Sequence, residues 1–180
     1  MSSGWRASIL IIVAVLVWTG EANGTTLTLP VAVAQLAREK SAAESAAVQV
    51  KRRFAKQPAV YQGAEILYSS AKVSFDGLIA GLKIHLIEDR AIPDSPDFRA
   101  SLERAVAQSQ TFVLFARSVQ SDTPMRVTPQ AISDIIADAV RSVMEAAVSI
   151  WMAYRQSTAE RRASLIEQVE RLSWTPFDRL

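Results

Sequence analysis

Residues 61–82, YQGAEILYSSAKVSFDGLIAGL, decide the fold class. Tyr61, Ala64, Tyr68, Ala71, Phe75, Leu78 and Leu82 recur at alternating steps of three and four. That spacing puts one side chain per turn on the same face of an α-helix, and its regularity is that of a heptad seam between packed helices. Leu67, Ile79 and Leu86 add a second row, widening the seam toward the apolar face of a bundle. Strict apolar–polar alternation, the mark of a half-buried strand, is missing here and along the rest of the chain, where Ala is abundant and Gly sparse. The chain reads as all helix.

Prolines mark where the helices begin. Pro30, Pro58, Pro96 and Pro129 each precede twenty or more residues of helical pattern. Proline at the first helical position loses no hydrogen bond and already holds the required φ. Ser95 and Thr128, just ahead of two of them, can accept from the exposed first-turn amides. The expected helices run from about Val31 to Lys56, Ala59 to Arg90, Pro96 to Gln120, and from Pro129 onward. Their inward rows are Leu36, Ala43, Ala47, Val50 and Phe54; the seam above; Phe98, Leu102, Ala105, Phe112, Ala116 and Val119; and Ile132, Ile136, Ala139, Val143, Ala147, Ile150 and Tyr154. AIPDSP and SDTPMRVTP join the later pairs, and short connections make successive helices antiparallel. The expected fold is an all-α, antiparallel up-down four-helix bundle with an extended or additional C-terminal helix.

That last helix is a problem of length. Four helices of roughly 25–32 residues are each about 38–48 Å long and match one another. Beyond Tyr154 no large apolar residue occurs until Leu165, Ile166, Val169 and Leu172 resume a stripe that ends at Trp174. As one straight rod this end would overhang by about 20–30 Å with its apolar face bare. Ser157-Thr158-Ala159-Glu160 has capping-box spacing and offers a place to bend. Either this end packs back on its own bundle end, preferably as a continuous or gently bent helix, or it pairs with another chain. In the second case Leu165, Ile166, Val169, Leu172 and Trp174 form a partner-binding or self-association surface.

The N-terminus has a different pattern. MSSGWR, with Arg6 positive, leads into an apolar run from Ala7 to Trp18 and then the small, polar TGEANG. Charged start, apolar middle and small-residue end are the layout of a secretory signal. Twelve residues reach about 18 Å, short of the ~30 Å hydrocarbon core. Residues 1–24 therefore read as a cleaved signal peptide, with an uncleaved signal anchor as the alternative, and residues 25–180 as one domain outside the cytoplasm, periplasmic or secreted. If the segment is retained, the body is an inner-membrane-anchored scaffold.

Composition closes off several chemistries. The 180 residues contain no Cys, which excludes disulfides, thiol nucleophiles, iron–sulfur clusters and thioether-linked haem. Net charge is +2 with a pI near 9.1 and the signs are interspersed, unlike the concentrated basic surface of a nucleic-acid binder. His85 is the sole histidine, and with Glu88 and Asp89 it falls short of the three or four ligands a transition metal wants. Ser69-Ser70-Ala71-Lys72 carries S-x-x-K without the other boxes of that hydrolase chemistry, so it reads as outer-face polarity. Gly77 and Gly81, at G-x-x-x-G spacing in mid-helix, read as close packing inside the bundle or a kink. Lys51, Arg52 and Arg53 could meet an anion or a membrane surface, although cations at a helix C-terminus also suit its dipole. Asp134 and Asp138 read as partners of Arg141. Tyr61, Tyr68, Phe75, Phe112, Phe115 and Trp151 are numerous enough to line a pocket but read as core.

No metal or cofactor is implied. The expected function is that of an exported, non-catalytic interaction module binding a protein partner or itself. The alternative is a periplasmic carrier or sensor holding an apolar small molecule between helices.

Overall fold

The computed structural model describes residues 27–121 and 128–180. The export segment read at residues 1–24 lies outside them. Five α-helices follow in order: α1 Leu29–Phe54, α2 Pro58–Ile87, α3 Pro96–Gln120, α4 Pro129–Arg155 and α5 Ala159–Glu170, with a 3-10 turn at Phe177–Arg179. No strand occurs among the described residues, and none of these helices is long and apolar enough to cross a membrane.

The proline starts are where local stereochemistry places them. Each of the first four helices has its proline in the first turn. Ser95 Oγ accepts from Phe98 N at 3.3 Å and Thr128 Oγ1 from Ala131 N at 3.2 Å, so both expected caps are made. α2 ends as Arg90 N bonds His85 O at 3.0 Å, with Asp89 in the left-handed region at φ 53°. An Asp tolerates that conformation better than most residues because its short polar side chain bonds locally.

Packing follows the expected rows except at the start of α4, where Ile132 and Ile136 are only half-buried and outside the core, which α4 enters from Val143. Leu36, Ala43, Ala47, Val50 and Phe54 of α1 join Ala64, Tyr68, Ala71, Phe75, Leu78 and Leu82 of α2, Leu102, Ala105 and Phe112 of α3, and Val143, Ala147 and Ile150 of α4 in one buried cluster. Direction can be read from pairs: Tyr68 meets Phe112 edge-on at 5.2 Å, while His85 meets Phe98 at 5.3 Å, so α2 and α3 are antiparallel. α1 runs parallel to α3, since Glu39 bonds Ser109 and Arg53 bonds the Gln120 carbonyl.

The C-terminal region settles the length problem by a reversal. α4 stops at Arg155 and α5 starts at Ala159, so the continuous-helix expectation is corrected. The capping-box site is where the chain turns, yet Thr158 makes no side-chain capping bond. Arg162 holds the corner instead, its guanidinium donating to the Tyr154 and Arg155 carbonyls at 3.1 Å each and lying 5.0 Å over the Tyr154 ring. From there the chain runs back along α2. Arg155 pairs with Asp89, Glu170 with Lys83, Trp174 N donates to Asp76 Oδ1 at 3.0 Å, and Phe177 packs edge-on against Tyr61 at 5.5 Å. The same residues climb α1 in parallel, through Lys40 to Arg171 O, Thr175 N to Glu44 Oε1 at 2.8 Å, and Lys51 to the carbonyls of Phe177 and Asp178. α5 thus lies against α2 and α4, and the segment after it closes between α1 and α2, the two together forming a wedge on the bundle.

Candidate interaction face

The wedge consumes most of the residues that the sequence offers for partner binding. Leu165, Val169, Leu172 and Trp174 are buried in the chain's own core, and Ile166 is half-buried against it. Trp174 lies on Tyr68 and Phe75 at 5.3 and 5.2 Å. The expected intermolecular surface is corrected: the reversal at residues 156–158 turns this stripe inward, so its apolar area is covered by the bundle. Tyr68 locks the arrangement, donating from its hydroxyl to Thr175 O at 2.7 Å. Burial, with Glu44 and Asp76 nearby, pushes that phenol's pKa upward.

The basic group is likewise drawn in. Lys51 Nζ donates to the Phe177, Asp178 and Leu180 oxygens and sits 5.3 Å over the Phe177 ring. Arg53 donates to the α3 end at Gln120 O, 2.6 Å. Of the three expected anion contacts, Lys51 and Arg53 therefore do structural work, and Arg52 is exposed at the surface.

The other sequence features resolve simply. Lys72 of the S-x-x-K box pairs with Asp76, and Ser69 and Ser70 are exposed. Asp138 pairs with Arg141 at 3.5 Å, while Asp134 accepts from Gln130 at 2.8 Å. Among the described residues no group of three His, Asp or Glu is placed to hold a metal. His85 has an Nδ1 with no partner among the described residues and borders an open cleft of about 180 Å³ with Gly77, Gly81, Ile84 and Phe98. A second cleft, about 140 Å³, lies between Leu67, Ser70, Gln108 and Thr111. Both are smaller than the ~300 Å³ at which small-molecule sites usually begin.

One polar cluster was not visible in the sequence. Glu39 of α1 accepts from Ser109 Oγ at 3.1 Å and from Gln110 Nε2 at 2.9 Å, and Gln35 bonds Ser142 of α4. Ser109 is fully buried, so its hydroxyl ties helices together and no substrate can reach it. Burial raises the Glu39 pKa above its ordinary 4.5, and the two hydrogen bonds oppose this only in part. An acid with a raised folded pKa binds protons more readily when folded, so its contribution to stability grows on acidification toward 4.5 and falls as pH rises through the folded value. Glu39→Gln is expected to melt at or above the wild type at pH 7.5, each ~1 kcal/mol of relief raising Tm by about 2–4 °C. The gap should narrow at pH 5, which thermal melts followed by circular dichroism at both pH values check.

The glycine pair is corrected as well. Among the described residues a Cβ on Gly77 would meet nothing within 4 Å and one on Gly81 only the edge of Phe98 at 3.8 Å, so neither marks a close approach inside the bundle, and α2 is uninterrupted. Gly77 instead sits on the outward side of α2, where the structure exposes a second stripe. Ile66, Val73, Ile84 and Ile87 are 68, 72, 50 and 57% exposed. With Ser70, Gly77 and Ala80 they recur at steps of four and three. Among all exposed α2 residues from Ala59 to Ile87, Glu65 alone is ionised. The other three charges of that span, Lys72, Asp76 and Lys83, turn toward the wedge. The outer faces of the neighbouring elements are ordinary: α3 exposes Asp97, Arg99, Glu103 and Arg104, and α5 exposes Glu160, Arg161, Glu167 and Glu170. A long surface helix with an almost uncharged outer face is anomalous by comparison.

No family model, curated protein or solved structure matches the chain.

Proposed function

We propose that this is an exported binding module acting by helix contact rather than by chemistry, with the outer face of α2 as its contact surface. The observation that supports the reading is the near absence of charge on that face, where four branched apolar side chains stand in solvent. Isolated surface hydrophobics are ordinary; a contiguous row bordered by ionised residues is the pattern of a recognition site. Export rests on residues 1–24, whose layout is that of a secretory signal.

A photo-crosslinking amino acid placed at position 73 of the full chain, in cells expressing it, tests the contact. A crosslinked species is expected at 73 and not at Glu103 on the outer face of α3. Equal absence at both positions overturns the reading. For the export half, the expected product is recovered outside the cytoplasm with its N-terminus processed or membrane-held; recovery from the cytosol with residues 1–24 intact removes it.

A further inference from the structure

We infer that the surface covering the α2 face is the α2 face of a second copy, crossing antiparallel near Gly77. This rests on the binding reading above and names the partner. Three observations on the face argue for it.

First, the row is arranged about its own middle. Isoleucines stand at both ends, Ile66 at one and Ile84 and Ile87 at the other, and the small residues Ser70, Gly77 and Ala80 lie between. Turning a second copy end for end about Gly77 brings Ile84 near Ser70, Val73 near Ala80, and Gly77 near its counterpart. Val73 and Ile84 then meet small residues, Ile66 of each copy meets Ile87 of the other, and the two helix dipoles oppose. A parallel pairing would set Ser69 and Ser70 against themselves and bring like helix ends together.

Second, no crowding among the described residues calls for a glycine at position 77. A mid-helix glycine costs about 1 kcal/mol against alanine, and a Cβ there meets nothing. A second backbone crossing at this point gives the missing side chain a use, since small residues let helices approach closely.

Third, size and charge suit a helix rather than a broader or charged surface. Turned about Gly77, two copies of α2 overlap from Leu67 to Ile87, about 32 Å at 1.5 Å per residue. A strip one helix wide over that length covers roughly 330–370 Å² per copy, so a pair buries about 650–750 Å², the small area of a weak, transient contact. The dimer is therefore a reversible one, formed at high protein concentration. A face with so few cations has nothing to recognise nucleic acid or anionic headgroups. Its ionised borders, with Lys72, Asp76 and Lys83 on one side and Asp97 beside the cleft on the other, confine the apolar strip to one helix width.

The chain has no cysteine, so single introduced thiols are unambiguous. Full-length Val73→Cys and Ala80→Cys, separately tagged, are mixed and oxidised. The mixed 73–80 disulfide is expected at least tenfold above a Glu103→Cys control and above the 73–73 and 80–80 products. In sedimentation equilibrium at several hundred micromolar the wild type is expected to dimerise, and Val73→Glu and Ile84→Glu to be monomers with unchanged circular dichroism. Gly77→Ala is expected to raise the melting temperature of the dilute monomer while weakening the dimer at least fivefold. Such opposite signs would not arise from a purely structural glycine. A monomer at these concentrations, a dimer indifferent to the two Glu variants, or predominant 73–73 and 80–80 products overturns the inference. If position 73 crosslinks only to a different protein, the binding reading stands and the self-pairing fails.

Discussion

Replacing Trp174 by Ala is expected to lower the unfolding free energy by about 3–5 kcal/mol, the range for deleting a buried large aromatic. Trp174 is 2% exposed, and its ring packs at a tilt against Tyr68 and Phe75, which are fully buried. The Trp174 backbone amide is held by Asp76 at 3.0 Å, which limits how far the segment can collapse into the space. The loss should propagate: Tyr68 loses one ring of its cluster, and its hydrogen bond to Thr175 O is left with a loosened acceptor. Urea denaturation followed by circular dichroism checks this through a lower midpoint. A change below ~1 kcal/mol would mean that the segment after α5 is not part of the cooperative core.

Val169→Asp is expected to be as damaging, costing about 3–5 kcal/mol, because an unpaired carboxylate would replace a fully buried side chain. This variant separates two accounts of the C-terminal stripe. If Val169 faced a partner, the substitution would dissociate an oligomer and leave the monomer folded. With Val169 inside the wedge, stability falls at every protein concentration, and Leu165→Asp behaves in the same way. Melting measured over a hundredfold concentration range distinguishes them: the expected result is a large drop in Tm with no dependence of that drop on concentration.

The parts of the fold that were legible from sequence are those governed by neighbours along the chain. Pro30, Pro58, Pro96 and Pro129 mark helix starts because φ and the absent amide act locally, and Ser95 and Thr128 cap as their type predicts. The Tyr61–Leu82 row is buried as its spacing implies, with only Tyr61 partly exposed. The wedge was less legible because its bonds join residues about 100 or more positions apart, as between Lys51 and Phe177 or Asp76 and Trp174. The run Ser173 to Leu180 has no period to read, and the turn before α5 uses Arg162 rather than its apparent capping residue. The α2 outer face was written in the stretch that decides the fold. A search for one apolar row per helix finds the buried row and stops; the overlooked signal is that Glu65, Lys72, Asp76 and Lys83 all fall on one flank, leaving the side opposite the core almost without charge.

This one-sided distribution makes α2 respond to electrolytes in two ways at once. Sodium chloride at high ionic strength screens the partly exposed Lys83–Glu170 contact on the wedge side and loosens the strap slightly. It has almost nothing to screen on the opposite side. Sulfate, excluded from apolar surface, should favour covering that side. A comparison of the two salts at matched ionic strength therefore addresses the two edges of a single helix separately, without a substitution in either.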